Sequence, residues 1–326
     1  MPSPQSFNTL ITGGAGFIGS HLVERLLADR ANRVTVVDNF DPFYDPATKR
    51  ANLAAHLNDP NFGMVEADIC DPDAINALFS RSGFDCVVHL AARAGVRPSL
   101  ENPLAYEETN VRGTYALLEA ARRHSAPQFI FGSSSSVYGL TSKVPFHEAD
   151  PLAWPISPYA ATKIAGEAAC RVYSHLFDMR VVCLRFFTVY GPRQRPDLAI
   201  HKFARLISES RPIPVFGDGS SERDYTYVDD IVAGVLAAMR YDASGFEVIN
   251  LGASETVKLS RLISLIEAAL GLRAVLDHQP DRAGDVPVTY AEISKARRLL
   301  GYDPKTNIES GLEAFVTWLR AVGLSR

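Results

Sequence analysis

Charge of one sign is not in excess in this chain of 326 residues: 33 lysines and arginines stand against 37 aspartates and glutamates, a formal net charge of −4. No Lys/Arg run interleaves with aromatic residues, so nucleic acid is not expected as a partner. Long apolar runs are also missing; none approaches the roughly 20 residues that a membrane span needs. The first residues, MPSPQSFNTLITGG, lack the charged start and apolar core of a signal peptide. The expectation is a soluble, cytoplasmic protein with no membrane partner. Cysteine is scarce: Cys70, Cys86, Cys170 and Cys183 show neither CxxC spacing nor a neighbouring His cluster. Buried reduced thiols are therefore expected, with no disulfide and no metal site. Internal repeats and low-complexity linkers are absent too. With 47% hydrophobic and 21% charged residues, the chain is expected to be globular with a sizeable core.

What is present is an alternation of short apolar runs with helical stretches. Thr9–Thr12, Arg33–Asp38, Phe62–Ile69, Cys86–Ala92, Gln128–Ser133 and Arg180–Phe186 are continuous rather than alternating, the pattern of parallel strands buried on both faces. Between them lie helical candidates such as HLVERLLADR, NVRGTYALLEAARRH and SPYAATKIAGEAACRVYSHLF. The fold class this predicts is α/β, a Rossmann-type doubly wound parallel sheet with a smaller, mostly helical substrate-binding domain. Beyond Phe187 the prolines 192, 196, 212 and 214 break the rhythm, before VDDIVAGVLAAMRY and EVINLG supply one more helix and strand of the main sheet. The expected division is 1–187 plus 226–253 for a dinucleotide-binding domain and 188–225 plus 254–326 for the substrate domain, folded back over the carboxyl ends of the strands.

TGGAGFIGS, Thr12 to Ser20, places Gly13, Gly16 and Gly19 at the end of the first strand and the opening of the first helix. Missing side chains there let a pyrophosphate approach the helix N-terminus. Glycines at such a turn also serve packing alone. Position tilts the balance: Asp38 ends the next strand 19 residues after Gly19, where an acid receives the adenosine ribose hydroxyls and repels a 2′-phosphate. NAD is thus favoured over NADP, with Phe17, Ile18 and Asn39 beside the same turn and Asp68 and Ile69 flanking the adenine.

SPYAATK, Ser157 to Lys163, sets Tyr159 and Lys163 four apart on a helical stretch, so both lie on one face. A phenol of pKa about 10 is a poor base at neutral pH; a neighbouring cation favours the phenolate. FGSSSSVYG, Phe131 to Gly139, ends the fifth strand and projects its hydroxyls near Tyr159.

Together these motifs resemble the extended short-chain dehydrogenase/reductase family, and within it the nucleotide-sugar 4-epimerases. TGGAGFIG, HLAA with Ala91, Asn110, SSSSVYG, Tyr159-x-x-x-Lys163, YGP and RAGD fall in the family's order along nearly the whole chain. The resemblance implies Ser134 as the hydroxyl on the sugar O4, Tyr159 as the base, Lys163 on the cofactor ribose and Asn110 as an anchor of local helix geometry. It implies NAD as cofactor, held through turnover, and a transient 4-keto sugar. Where dehydratase relatives carry an Asp and Glu after the catalytic hydroxyl, and uronate decarboxylases a Glu in place of Ser136, this chain has Ser135 and Ser136. No carboxylate is available there to drive elimination or loss of CO₂.

DNFDPFYD, AGVRPSLENP and RFFTVYGPRQRPD strengthen a similarity to UDP-glucuronate 4-epimerases. Oxidation at C4 of a uronate makes a β-keto acid, so the carboxylate must be clamped; Ser135, Ser136, Thr188 and the fork of Arg195 are the candidates, with Arg97 and Arg193 as rivals. By the same resemblance Val215, Phe216 and Arg223 hold the uridine and diphosphate, and Arg282 and Asp285 add a second guanidinium and a ribose ligand. A homodimer is expected through the helices carrying Asn110 to His124 and Tyr159 to Phe177. A UDP-glucose or UDP-N-acetylglucosamine 4-epimerase, a UDP-glucuronate decarboxylase and a non-catalytic NAD-binding sensor are the alternatives.

Overall fold

The computed structural model describes residues 6–141, 143–152, 154–243, 245–280 and 286–323. Six of the strands expected from sequence form β1 (Asn8–Thr12), β2 (Arg33–Asp38), β3 (Phe62–Glu66), β4 (Cys86–His89), β5 (Gln128–Ser134) and β6 (Arg180–Phe186). With Phe246–Leu251 they make one seven-stranded sheet, ordered Phe246–Leu251, β6, β5, β4, β1, β2, β3. Every pair is parallel, and the strand order turns back between β1 and β4. This is the Rossmann-type doubly wound sheet.

Continuous apolar runs form these strands because both faces of the sheet are covered. Ile11, Val36, Val88, Ile130 and Val182 join one core with Leu22 and Val235, while their neighbours Leu10, Val37, Val87, Phe129 and Val181 join the other with Leu117. Successive side chains point to opposite faces, so each strand feeds two cores at once. Two strands end sooner than their apolar runs suggest: β3 stops at Glu66 and β4 at His89. The chain leaves the sheet there, and Asp68, Ile69 and Ala91 therefore sit in loops at its carboxyl edge, where ligands bind.

A third core gathers Tyr190, Ile200, Phe203, Val215, Leu262, Ile266 and Phe315 under the helices Ala199–Ser208, Leu259–Leu270 and Ile308–Ala321. The segment after 253 is less purely helical than its sequence suggests. Leu276–Gln279 pairs in parallel with Ile213–Phe216, and Val257–Lys258 and Val288–Thr289 flank Glu222–Arg223. Pairings of two to four residues are too short to leave a period-two signature.

Candidate active site

The carboxyl edge of the sheet opens into a cavity of about 550 Å³. One end is the glycine turn. Gly13 has φ +71°, and a Cβ there would lie 2.7 Å from the Ala91 main-chain nitrogen. A Cβ at Gly19 would lie 2.3 Å from the Gly13 carbonyl oxygen, so neither position tolerates a side chain. The helix Phe17–Leu27 begins at Gly16 with no side chain capping its first N–H groups. These open donors and the helix dipole fit a pyrophosphate.

Asp38 closes β2 beside the turn. Its Oδ2 accepts from the Ala15 N–H at 3.1 Å and its Oδ1 from the Phe40 N–H at 2.9 Å, which fixes the carboxylate at the cavity wall. Burial raises its pKa. Asn39 donates to Asp68 Oδ2 at 2.9 Å; both line the cavity with Ile69, Ala91, Phe17 and Ile18. A bare glycine cradle, an uncapped helix start and a fixed acid at the next strand end are a donor set that fits NAD.

At the other end stand Ser133 to Ser136, Tyr159 and Lys163. The helix Pro158–Phe177 is launched by Ser157, whose side chain accepts from the Ala160 N–H, with Pro158 in its first turn. Tyr159 and Lys163 share its cavity face. Ser134 Oγ accepts from the Ser136 N–H at 3.2 Å and lies 3.0 Å from Ser136 Oγ. Burial holds the Tyr159 phenol above its ordinary 10.0, against the opposing pull of the Ser134 hydrogen bond and the Arg195 charge. Lys163 donates to the Gly132 carbonyl at 2.6 Å and sits 6.0 Å from the Tyr159 ring centre. Burial pushes its pKa down to about 8. Two cations thus stand by the Tyr159 ring, Arg195, whose charge opposes the effect of burial, and Lys163.

Asn110 lies behind the cavity in a π turn, Glu108–Arg112. Its Oδ1 accepts from the Arg93 N–H at 2.8 Å, and its Nδ2 donates to the Arg93 carbonyl at 2.9 Å and to Thr162 Oγ1 at 3.0 Å. It thus ties the loop after β4 to the helix that carries Tyr159.

Of the residues expected to meet substrate, Ser135, Ser136, Thr188, Arg195 and Arg223 line the cavity and Val215 and Phe216 do not. The Val215 side chain is turned into the third core, and Phe216 lies under the Arg97 guanidinium, 5.1 Å from ring centre to Cζ. Arg282 and Asp285 fall outside the described residues. Arg193 pairs with Glu24 at 2.7 Å. The fork of Arg195 is already engaged, Nε to Asp197 Oδ1 at 3.0 Å and Nη2 to Oδ2 at 2.7 Å.

Sequence reasoning missed the groups that support this end. Glu167, one turn beyond Lys163, is 6% exposed and takes bonds from Ser133 Oγ at 2.6 Å and from Arg185 Nε at 2.9 Å and Nη2 at 2.7 Å. Ser133 and Arg185 are direct cross-strand partners. The i,i+4 spacing of Tyr159, Lys163 and Glu167 was the available signal. Tyr106 was also missed; its ring stands edge to face with Tyr159, centroids 6.2 Å apart.

Residues 10–315 match the model of the family described as GDP-mannose 4,6 dehydratase. A UDP-glucuronate 4-epimerase of Thermodesulfobacterium geofontis is 40% identical over 95% of this chain and 95% of its own. UDP-glucuronate 4-epimerase 4 of Arabidopsis thaliana is 43% identical over 95% of this chain and 74% of its own. The crystal structure of a Bacillus cereus UDP-glucuronic acid 4-epimerase with UDP-glucuronic acid and NAD superposes with a TM-score of 0.91 at 37% identity, covering 98% of this chain and all of the other. Matches of this extent make the chain a member of the extended short-chain dehydrogenase/reductase family.

Proposed function

We propose that the protein inverts C4 of UDP-glucuronate to give UDP-galacturonate, with NAD as a resident cofactor. The observation that carries this reading is where the cavity keeps its carboxylates. Asp38, Asp41 and Asp68 line the adenosine end, whereas Ser133 to Ser136, Ser157, Tyr159 and Thr188 line the other. Among the described residues no carboxylate lines the cavity beside Ser134 and Tyr159, so a 4-keto sugar held there meets no acid–base pair beyond Tyr159 for loss of water.

NAD, when bound, supplies the hydride acceptor and donor for C4. The chain's own residues do the rest. Tyr159 takes the O4 proton as a phenolate, and Ser134 hydrogen-bonds O4. Lys163 binds the cofactor ribose and adds positive charge beneath the site. Ser135, Ser136 and Thr188 hydrogen-bond the substrate carboxylate and keep it from standing perpendicular to the C4 carbonyl, the geometry in which a β-keto acid sheds CO₂. Arg195 reaches that carboxylate by exchanging it for Asp197, one two-point pair for another. Arg223, at the cavity wall, takes the diphosphate together with Arg282. Val215 and Phe216 meet the uridine, Val215 through its main chain because its side chain is buried in the core, and Asp285 meets a ribose.

The third core supports a division of labour in which 188–225 plus 254–326 hold the nucleotide sugar and 1–187 plus 226–253 the dinucleotide. A homodimer is supported by Tyr115, Val172, Leu176 and Phe177, 44–61% exposed on the helices Gly113–Arg123 and Pro158–Phe177. Four free cysteines, three of them buried, suit the reducing cytoplasm.

The experiment is to compare turnover of UDP-glucuronate and UDP-glucose by the purified protein, with products identified by NMR. Preference for the uronate and release of UDP-galacturonate support the reading; preference for UDP-glucose, or UDP-pentose as product, overturns it.

A further inference from the structure

The strand order places β1 between β2 and β4. A side-chain bridge from the loop after β2 to the loop after β4 must therefore cross the carboxyl end of β1, directly over the glycine turn. Two such bridges are present among the described residues. Arg93 Nη2 donates to Asp41 Oδ2 at 2.6 Å. Arg195 spans the same two loops: it donates to the Ala94 carbonyl at 3.2 Å, and its guanidinium lies 5.1 Å from the centre of the Phe43 ring.

Both anchors of the ion pair are held from behind. Lys49, 8% exposed, donates to the Asp41 carbonyl at 2.7 Å and lies 4.6 Å from the Tyr44 ring centre. The Arg93 main chain is pinned by Asn110 on both its N–H and its carbonyl. Two fixed backbones thus meet through side chains that themselves line the cavity. Neither loop needs the contact to form a strand or helix. The pair is half-exposed, 35% at Arg93 and 25% at Asp41, so it opens readily and slows passage rather than forbidding it.

We propose that Asp41 and Arg93, backed by Arg195, form a strap across the dinucleotide groove that retains NAD between turnovers. The inference rests on the NAD reading above and extends it to residues that need not touch the reacting atoms. Retention has a chemical use: inversion leaves the cofactor's oxidation state unchanged, so release is never required. Release while the hydride is held would strand an oxidised sugar.

The test is the release rate of NAD from the holoenzyme, loaded with isotopically labelled NAD, chased with unlabelled cofactor and sampled by rapid desalting. Asp41→Asn removes the pair's charge and is expected to speed release roughly three- to tenfold. Arg93→Gln should do the same, and the double variant should release no faster than either single one, since both remove one contact. If Arg93 instead gripped the cofactor phosphates, freeing it from Asp41 would slow release. Unchanged or slower release from Asp41→Asn with a parent that holds NAD overturns the strap alone. A parent that neither carries nor takes up NAD overturns the cofactor reading and the strap with it.

Discussion

Arg195 and Asp197 face each other fork to fork, Nε to Oδ1 at 3.0 Å and Nη2 to Oδ2 at 2.7 Å, so the guanidinium proposed to hold the substrate carboxylate already holds one. Asp197→Asn weakens the resident acceptor and releases the fork. The KM for UDP-glucuronate is expected to fall, by roughly tenfold at most, while that for UDP-glucose stays. Arg195→Ala should raise the uronate KM and let some UDP-pentose escape. Steady-state kinetics on both sugars read this out; equal effects on the two substrates would contradict it.

The same guanidinium opposes the burial that raises the Tyr159 pKa. With Tyr159 as the proposed base, activity is expected to rise with pH as the phenolate forms. Taking away a positive charge raises the pKa further. In Arg195→Met the acid limb of the kcat/KM profile is therefore expected to move to higher pH, and a limb that stays in place would show that Arg195 does not act on the phenol.

The fold was legible because its strands are buried on both faces. Arg180–Phe186 appears with the boundaries that its apolar run sets, whereas Cys86–Ala92 is cut back to His89 because the chain turns outward to build the site. Gly13, Asp38, Ser134, Tyr159 and Lys163 could be placed from spacing and company. Asp41 with Arg93, and Tyr106 against Tyr159, could not. Each joins loops whose proximity depends on strand order, and nothing in local sequence encodes that order. Arg185 read as one more residue of an apolar strand, yet its partner Glu167 lies 18 positions earlier on a different element.

The Glu167–Arg185 pair, 8% and 4% exposed at the side chains, fixes the end of β5 under Ser134. Glu167→Ala leaves a buried guanidinium without its partner and should cost about 3–5 kcal/mol of stability in urea unfolding. The double change Glu167→Leu with Arg185→Met removes both charges and should cost less. A double variant weaker than Glu167→Ala would contradict the assignment of that cost to an uncompensated charge.

His89 is buried between Thr12 Oγ1 at 2.8 Å and Thr114 Oγ1 at 3.0 Å, and burial pushes its pKa down to about 3 from 6.5. The unfolded chain binds a proton below the ordinary value that the folded chain refuses until far lower pH. The stability tied to this residue is thus complete above pH 6.5 and is lost as pH falls toward 3, with a slope of at most about 1.4 kcal/mol per pH unit. Urea midpoints at pH 7 and pH 5 should converge between parent and His89→Gln as the pH drops; a constant gap would contradict the linkage.

The most direct test of the central claim is a turnover experiment in D₂O with UDP-glucuronate as substrate. A hydride that leaves C4 and returns from the bound cofactor never meets solvent, and among the described residues no carboxylate lines the cavity beside Ser134 and Tyr159 to exchange the proton on C5. UDP-galacturonate with hydrogen, not deuterium, at both C4 and C5 is therefore the predicted product. Deuterium at C5, or carbon dioxide and UDP-pentose as the main products, would contradict the account.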